Sequence, residues 1–244
     1  MEHAPCISQI ATLLADPKRS AMMWALMDGI ARQSEELALL AGLSPSSANA
    51  HLGRLFSGGL LKIEERGRKR FYRLAAPEVG AAVEALASAT LASSPGNIAQ
   101  VFKRTSALAK VQAAPSSLLR ARLCEEHFGG TLAADLFQRL LDSGWIEQLD
   151  KRILVTHKGA NQLASHGVFV QALAHSSTQV ACACPDWSER RPHLGGTLGA
   201  ALLQLFIQSG WLSVSGDSRA LQVTPTGVRE LDLFGKAPEL EMAL

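Results

Sequence analysis

The stretch GLSPSSANAHLGRLFSGGLLKIEERGRKRFYR, residues 42–73, decides how this chain is read. Ser44 followed by Pro45 is an N-cap with proline at the first helical position, so a helix starts there and runs to about Ser57. Ala48, Leu52 and Leu55 fall on one side of that helix, which leaves Ser46, Ser47, Asn49, Ala50, His51 and Arg54 facing outwards. Leu60, Leu61 and Ile63 then lead up one strand, and Phe71, Tyr72 and Leu74 lead back. Gly67 sits at the tip with Arg66, Arg68, Lys69 and Arg70 around it.

Ser and Asn on a helix can simply solvate it, and a charge run is usually a solvated loop. Here the two features adjoin, and the helix face holds no acid. Together they suit a winged helix-turn-helix, in which the helix meets base edges in the major groove and the wing touches the backbone of duplex DNA. The expected DNA-contacting residues are Ser44, Ser46, Ser47, Asn49, His51, Arg54, Arg66, Arg68, Lys69 and Arg70.

The flanks read as helices. Ile7, Ile10, Leu13 and Leu14 recur at helical spacing. Asp16-Pro17 opens a second helix reaching about Met27, and Asp28-Gly29 stops it. Ser34 with Glu35 and Glu36 opens SEELALLA, which ends at Gly42. Residues 77–91 form one Ala-rich helix whose small side chains permit close pairing, a candidate for part of a dimer interface.

Residues 8–90 resemble the arsenic-repressor (ArsR) family of winged-helix regulators. The matching runs are LADPKRSAMMWALMDG, ELALLAGLSPSSANAHLGRLFSGGLL and GRKRFYRL. The resemblance implies a homodimer on a palindromic operator near its own promoter, usually as a repressor released by an inducer. The cysteine pair and the Asp and His ligands of the family's metal sensors have no counterparts in SEELALLA or PEVGAAVEALASAT.

At 244 residues and 47% hydrophobic, the chain suits two domains with real cores. A net charge of +2 means that affinity for DNA must come from a local patch. No apolar run approaches the roughly 20 residues needed to span a bilayer. The N-terminal residues lack a secretory layout, so the expected location is the cytoplasm, with no membrane partner. Cys6, Cys124, Cys182 and Cys184 are too few for a disulfide scaffold, and Cys6 is read as structural.

The second half repeats itself. His127-Phe128-Gly129-Gly130-Thr131-Leu132 recurs as His193-Leu194-Gly195-Gly196-Thr197-Leu198, and Ser143-Gly144-Trp145 as Ser209-Gly210-Trp211. Thr156-x-x-Gly159 recurs as Thr224-x-x-Gly227. Each copy reads as a helix, a hairpin and a short helix, which gene duplication explains. One ArsR subclass carries a similar extension, with Cys124-x-x-His127-x-x-Gly130 and the run Cys184 to Leu194 as the matching motifs.

Cys124, His127, Cys184 and His193 precede the two repeated helices. If an approximate two-fold axis relates the copies, two thiols and two imidazoles meet, a normal set for zinc or another divalent metal ion. The eight residues between Cys184 and His193 are not standard ligand spacing. Three other readings stay open. Positive charge from Arg190 and Arg191 would activate Cys182 and Cys184 as a thiol switch. Trp187, Arg190, Arg191 and His193 would suit a pocket for an organic acid inducer. All of these residues would otherwise be core and local pairing.

The expected fold is mainly α with small β-hairpins (α+β). It comprises a winged helix-turn-helix over 1–92, a helical connector over 93–120, and a sensory and dimerisation domain over 121–244 with repeats at about 124–166 and 184–232. The expected function is a DNA-binding transcriptional regulator, not an enzyme, with no established cofactor. The alternative is an enzyme or ligand-binding module built on the Cys/His cluster, although no nucleotide-binding Gly loop or nucleophile elbow is present.

Overall fold

The computed structural model describes residues 7–93, 114–150, 152–176, 179–189, 191–216 and 218–236. Cys6, Arg190 and most of the connector over 93–120 lie outside these residues. The chain divides into two units, 1–118 with 216–220, and 119–215 with 221–244.

In the N-terminal unit, α1 (Ile7–Leu14) and α2 (Pro17–Ala25) meet at Asp16, whose carboxylate accepts hydrogen bonds from the Lys18 and Arg19 amides at 2.9 and 3.0 Å. Arg19 is buried. Its guanidinium donates to the carbonyls of Leu13 (2.6 Å) and Thr12 (2.8 Å), which satisfies orphan groups at the α1 C-terminus and adds a favourable charge there. α3 (Ser34–Ala41) ends at Gly42, whose φ of 60° makes it the left-handed cap. α4 (Pro45–Ser57) follows, capped by Ser44.

Met22, Met23, Leu26, Leu37, Leu52 and Leu55 form the fully buried centre of the three packed helices α2, α3 and α4. The three-stranded sheet has the order β1–β3–β2, with β1 at Arg32–Gln33, β2 at Leu61–Arg66 and β3 at Lys69–Leu74. β1 is a feature the sequence reading lacks: two residues pair Arg32 with Tyr72 and Gln33 with Phe71. α5 (Pro77–Ser93) follows the hairpin.

The C-terminal unit begins with the end of α6 (Ser116–Arg120). A series of hairpin, helix, hairpin and helix then occurs twice. The first series is β4 (Arg122–Cys124), β5 (His127–Gly129), α7 (Thr131–Asp142), β6 (Ile146–Leu149), β7 (Arg152–Val155) and α8 (His157–Ser165). After α9 (Val170–Ser176) come β8 (Cys182–Pro185), β9 (Pro192–Gly195), α10 (Gly196–Gln208), β10 (Leu212–Val214), β11 (Leu221–Val223) and α11 (Pro225–Leu233).

The repeated glycines answer to close approach. A Cβ on Gly159 would lie 1.9 Å from the Trp145 carbonyl oxygen, and one on Gly227 would lie 2.0 Å from that of Trp211. Thr156 and Thr224 cap their helices by accepting from these same glycine amides, at 3.0 and 2.9 Å. Each helix is thereby pinned against the hairpin before it. The helices then cross over: α7 packs on β9, and α10 packs on β5. Phe128, Phe137, Trp145, Leu198, Phe206 and Phe234 are among the side chains of their single shared core.

Candidate functional site

The candidate nucleic-acid interface is built by α4 and the β2–β3 hairpin. Ala48, Leu52 and Leu55 bury one side of α4, so 3.6-residue periodicity turns Ser46, Ser47, Asn49 and Arg54 to solvent. Ser44 is the cap, its hydroxyl accepting from the Ser47 amide at 3.3 Å. His51 departs from the expected outward orientation. Its side chain is only 20% exposed, with Nδ1 3.7 Å from Asp16 Oδ1. The polar start of α2 draws it sideways.

The hairpin register pairs Arg66 with Lys69 across a two-residue turn, Gly67–Arg68. Gly67 has a φ of 64°, the positive value such a turn requires at its first central residue. The four basic residues are not equivalent. Arg66 bonds Glu64 at 2.9 Å and lies over the Phe71 ring at 4.7 Å, and Arg70 lies 3.5 Å from Glu65. Arg73 also bonds Glu64 at 2.9 Å. Arg73 and Arg66 together hold the Glu64 carboxyl below its ordinary range. Among the described residues no carboxylate lies within ion-pair distance of Arg68 or Lys69. These two bases share a surface groove with Asn49, Gly53 and Phe56 of α4.

The second cluster lies wholly in the C-terminal unit. Cys124 faces His127 across the β4–β5 register, with Glu125 and Glu126 as the turn. Glu125 has a φ of 52°, a left-handed conformation that is unfavourable for a residue with a Cβ. Cys184 faces His193 across the β8–β9 register. The β5 and β9 strands lie against one another, and one donor atom from each of the four side chains falls within 4.8 Å of the other three. The imidazole Nε2 atoms of His127 and His193 are 3.1 Å apart.

Glycines make room for this meeting. A Cβ on Gly129 would lie 3.4 Å from the His193 ring, and one on Gly195 would lie 3.4 Å from the His127 ring.

Behind His193 stands a buried carboxylate that sequence reasoning missed. His193 Nδ1 is 3.0 Å from Asp186 Oδ2, and both side chains are fully buried. Asp186 also accepts from Arg122 at 2.7 Å, the Ser188 hydroxyl at 2.7 Å, the Ser188 amide at 2.9 Å and the Gly130 amide at 2.9 Å. Burial opposes the charged form of Asp186, but His193 and Arg122 hold its carboxyl far below the usual range. His193 is raised: burial works against the imidazolium, and Asp186 and Cys124 outweigh it. Cys184 and the two imidazoles push the Cys124 thiol down, and the resulting thiolate pushes Cys184 up.

Two arrangements expected from sequence differ in the structure. Arg191 is turned to Asp135 at 2.8 Å and Glu189 at 3.3 Å, so it does not serve the cysteines. Cys182 is raised by burial and by the Glu125 charge, the opposite of thiol activation. Nor do Trp187 and Arg191 frame an open anion pocket. The face of Trp187 is covered by the Arg122 guanidinium at 4.4 Å, and Arg191 is already paired with carboxylates. Asp186 lies within the Cys184–Leu194 run, but nothing in the sequence assigns it a role there; its only local signal is its place two and three residues before the Ser188 and Glu189 amides it caps.

No family model matches the chain. The chain is 32% identical over 223 residues, 91% of its length and 94% of the relative's, to YdfF, an HTH-type transcriptional regulator of Bacillus subtilis (strain 168). Among solved structures it is similar to HlyU from Vibrio cholerae N16961, at 28% identity and a TM-score of 0.30, over 32% of this chain and 85% of that one. It is also similar to a homodimeric winged helix-turn-helix DNA-binding domain from Mycobacterium bovis, at 26% identity and a TM-score of 0.32, over 37% of this chain and 86% of that one. Among the described residues no helix is long and apolar enough to cross a membrane. Read with the helix and wing described above, the likeness to YdfF over nearly its whole length places the chain in a family: it belongs to the HTH-type transcriptional regulators, DNA-binding proteins, and its N-terminal module is a winged helix-turn-helix.

Proposed function

We propose that the chain is a cytoplasmic homodimeric repressor that binds a palindromic operator through α4 and the β2–β3 wing and takes its signal through the C-terminal unit. One observation carries the DNA reading. The acid-free outer face of α4 shares a groove, lined also by Glu35 of α3, with Arg68 and Lys69, two cations with no carboxylate within ion-pair distance among the described residues. Phosphate contacts by such cations give affinity, and Asn49, Arg54 and the serines offer hydrogen bonds to base edges.

Ile7 on α1 and Leu86 on α5 support the dimer. They are 84% and 60% exposed on the single chain, apolar area that a second copy would cover. A two-fold dimer of such modules asks for a palindromic site. Repression follows from the ArsR resemblance, and the proposed duplication within the C-terminal unit makes that unit the receiver.

The test is fluorescence anisotropy of the full chain on duplex DNA from upstream of its own gene, against random DNA of equal length. Tighter binding to the upstream DNA, weakening steeply as salt rises, is the expected result. Equal affinity for both DNAs across the salt range would overturn the operator reading.

A further inference from the structure

We propose that Cys124, His127, Cys184 and His193 form a closed tetrahedral site for one borderline-soft divalent cation, Zn2+ foremost, that joins the two repeated halves of the C-terminal unit. The geometry fits. With metal–nitrogen bonds of about 2.0–2.1 Å and metal–sulfur bonds of about 2.3 Å, tetrahedral donors stand roughly 3.3–3.8 Å from one another. The two Nε2 atoms are 3.1 Å apart, and all four donors lie within 4.8 Å. A small relaxation closes them around an ion.

The donor chemistry fits as well. Two thiolates and two neutral imidazoles around a divalent cation make a neutral centre, which a half-buried to buried setting tolerates; the protons still held by the thiol–imidazole cluster leave to solvent as the metal binds. His193 presents Nε2 to the ion while its Nδ1 lies 3.0 Å from Asp186 Oδ2, a carboxylate placed to fix the tautomer and strengthen the nitrogen as a ligand once the metal binds. Arg122 in turn holds Asp186, so the supporting pair is also neutral. Four protein ligands leave no open position for a substrate, so the centre is one that binds or senses metal and does not catalyse.

Resting on the reading of this unit as the receiver, the site would make the cation the signal or the condition for receiving one. Metal stoichiometry is measured without DNA, so failure of the site and failure of operator binding are separate results.

The experiment is titration of the full chain, purified under reducing conditions with chelator and then exchanged free of it, with Co2+. One Co2+ per chain is expected, with the intense visible bands of a tetrahedral ion and a thiolate-to-cobalt absorption in the near ultraviolet. Added Zn2+ should bleach both. Cys124→Ser and Cys184→Ser should each abolish the tetrahedral spectrum, and Cys182→Ser should leave it intact. Asp186→Asn keeps all four ligands, so it should retain the spectrum with affinity lowered by about 10- to 100-fold.

Because a ligand variant can fail to fold, X-ray absorption of the Zn2+-loaded wild-type chain supplies an independent readout. Two sulfurs and two nitrogens around zinc support the site. A shell of oxygen and nitrogen alone, no tetrahedral Co2+ band in the wild type, or a Cys124–Cys184 disulfide in place of metal would overturn it.

Discussion

The wing and the two C-terminal cysteine–histidine hairpins are the same small element put to opposite electrostatic uses. β2–β3 carries its charges at an exposed tip, where Arg68 and Lys69 have no acidic partner among the described residues. The β8–β9 loop folds inwards instead, so that Asp186 is buried with Arg122 and His193 and with amide donors. A charge left in water keeps its hydration and can be lent to a passing phosphate. A charge taken out of water must be matched on the spot, and the match is rigid. Hairpin geometry alone therefore says little about role; the location of the compensating charge says much more.

The largest break in this comparison should come from the buried pair. Arg122→Met leaves the Asp186 carboxylate in place without its cation, which is expected to cost about 3–5 kcal/mol of unfolding free energy. Arg68→Met at the wing tip should stay within about 0.5 kcal/mol. Urea denaturation followed by tryptophan fluorescence measures both. Equal costs would mean that Arg122 is not confined as described.

Next in size is Gly159→Ala. Its Cβ would meet the Trp145 carbonyl at 1.9 Å, and backbone on both sides leaves little room to yield. Overpacking of this kind typically costs about 1–3 kcal/mol. Gly227→Ala, at 2.0 Å from Trp211, should cost about as much. A large inequality between them would show that the two halves are not equivalent supports.

These contrasts mark what a linear sequence can and cannot carry. Asp16-Pro17 and Ser44-Pro45 were legible because a cap and its helix are local, and the helices begin where those residues put them. Strand β1 was not legible, since two residues of pairing have no pattern of their own and exist only because β3 offers an edge. Likewise the inward turn of Arg19 depends on where the α1 carbonyls arrive. For the Cys/His cluster, residue types and repeat positions were visible, but the ligand spacing argued against itself. Cys124 and His127 are three apart and Cys184 and His193 nine apart, yet both pairs are cross-strand neighbours. Hairpin register, unlike helical spacing, brings residues together whatever the length of the loop between them. That longer loop is also what supplies Asp186.

A smaller effect separates cations within the wing. Replacing Arg68 or Lys69 by Gln should lower the slope of log affinity against log salt by about 1 for each phosphate no longer neutralised. Arg66→Gln and Arg70→Gln should lower it less, because Glu64 and Glu65 already hold those side chains. Anisotropy at several salt concentrations gives the slopes, and four equal slopes would erase the distinction.

The smallest expected effect concerns His51, and it sharpens the comparison most finely because it lies on the reading helix itself. Arg54 points to solvent, so Arg54→Ala should reduce discrimination between operator and random DNA by about 1–3 kcal/mol if it reads a base edge. His51 is turned towards Asp16, with little of its side chain exposed. It therefore behaves as a supporting residue, and His51→Ala should change discrimination by less than about 0.5 kcal/mol, the ordinary range for a position without a special role. A loss at His51 as large as at Arg54 would mean that the imidazole leaves Asp16 on meeting DNA. The polar face of α4 would then be one residue wider than the free protein presents.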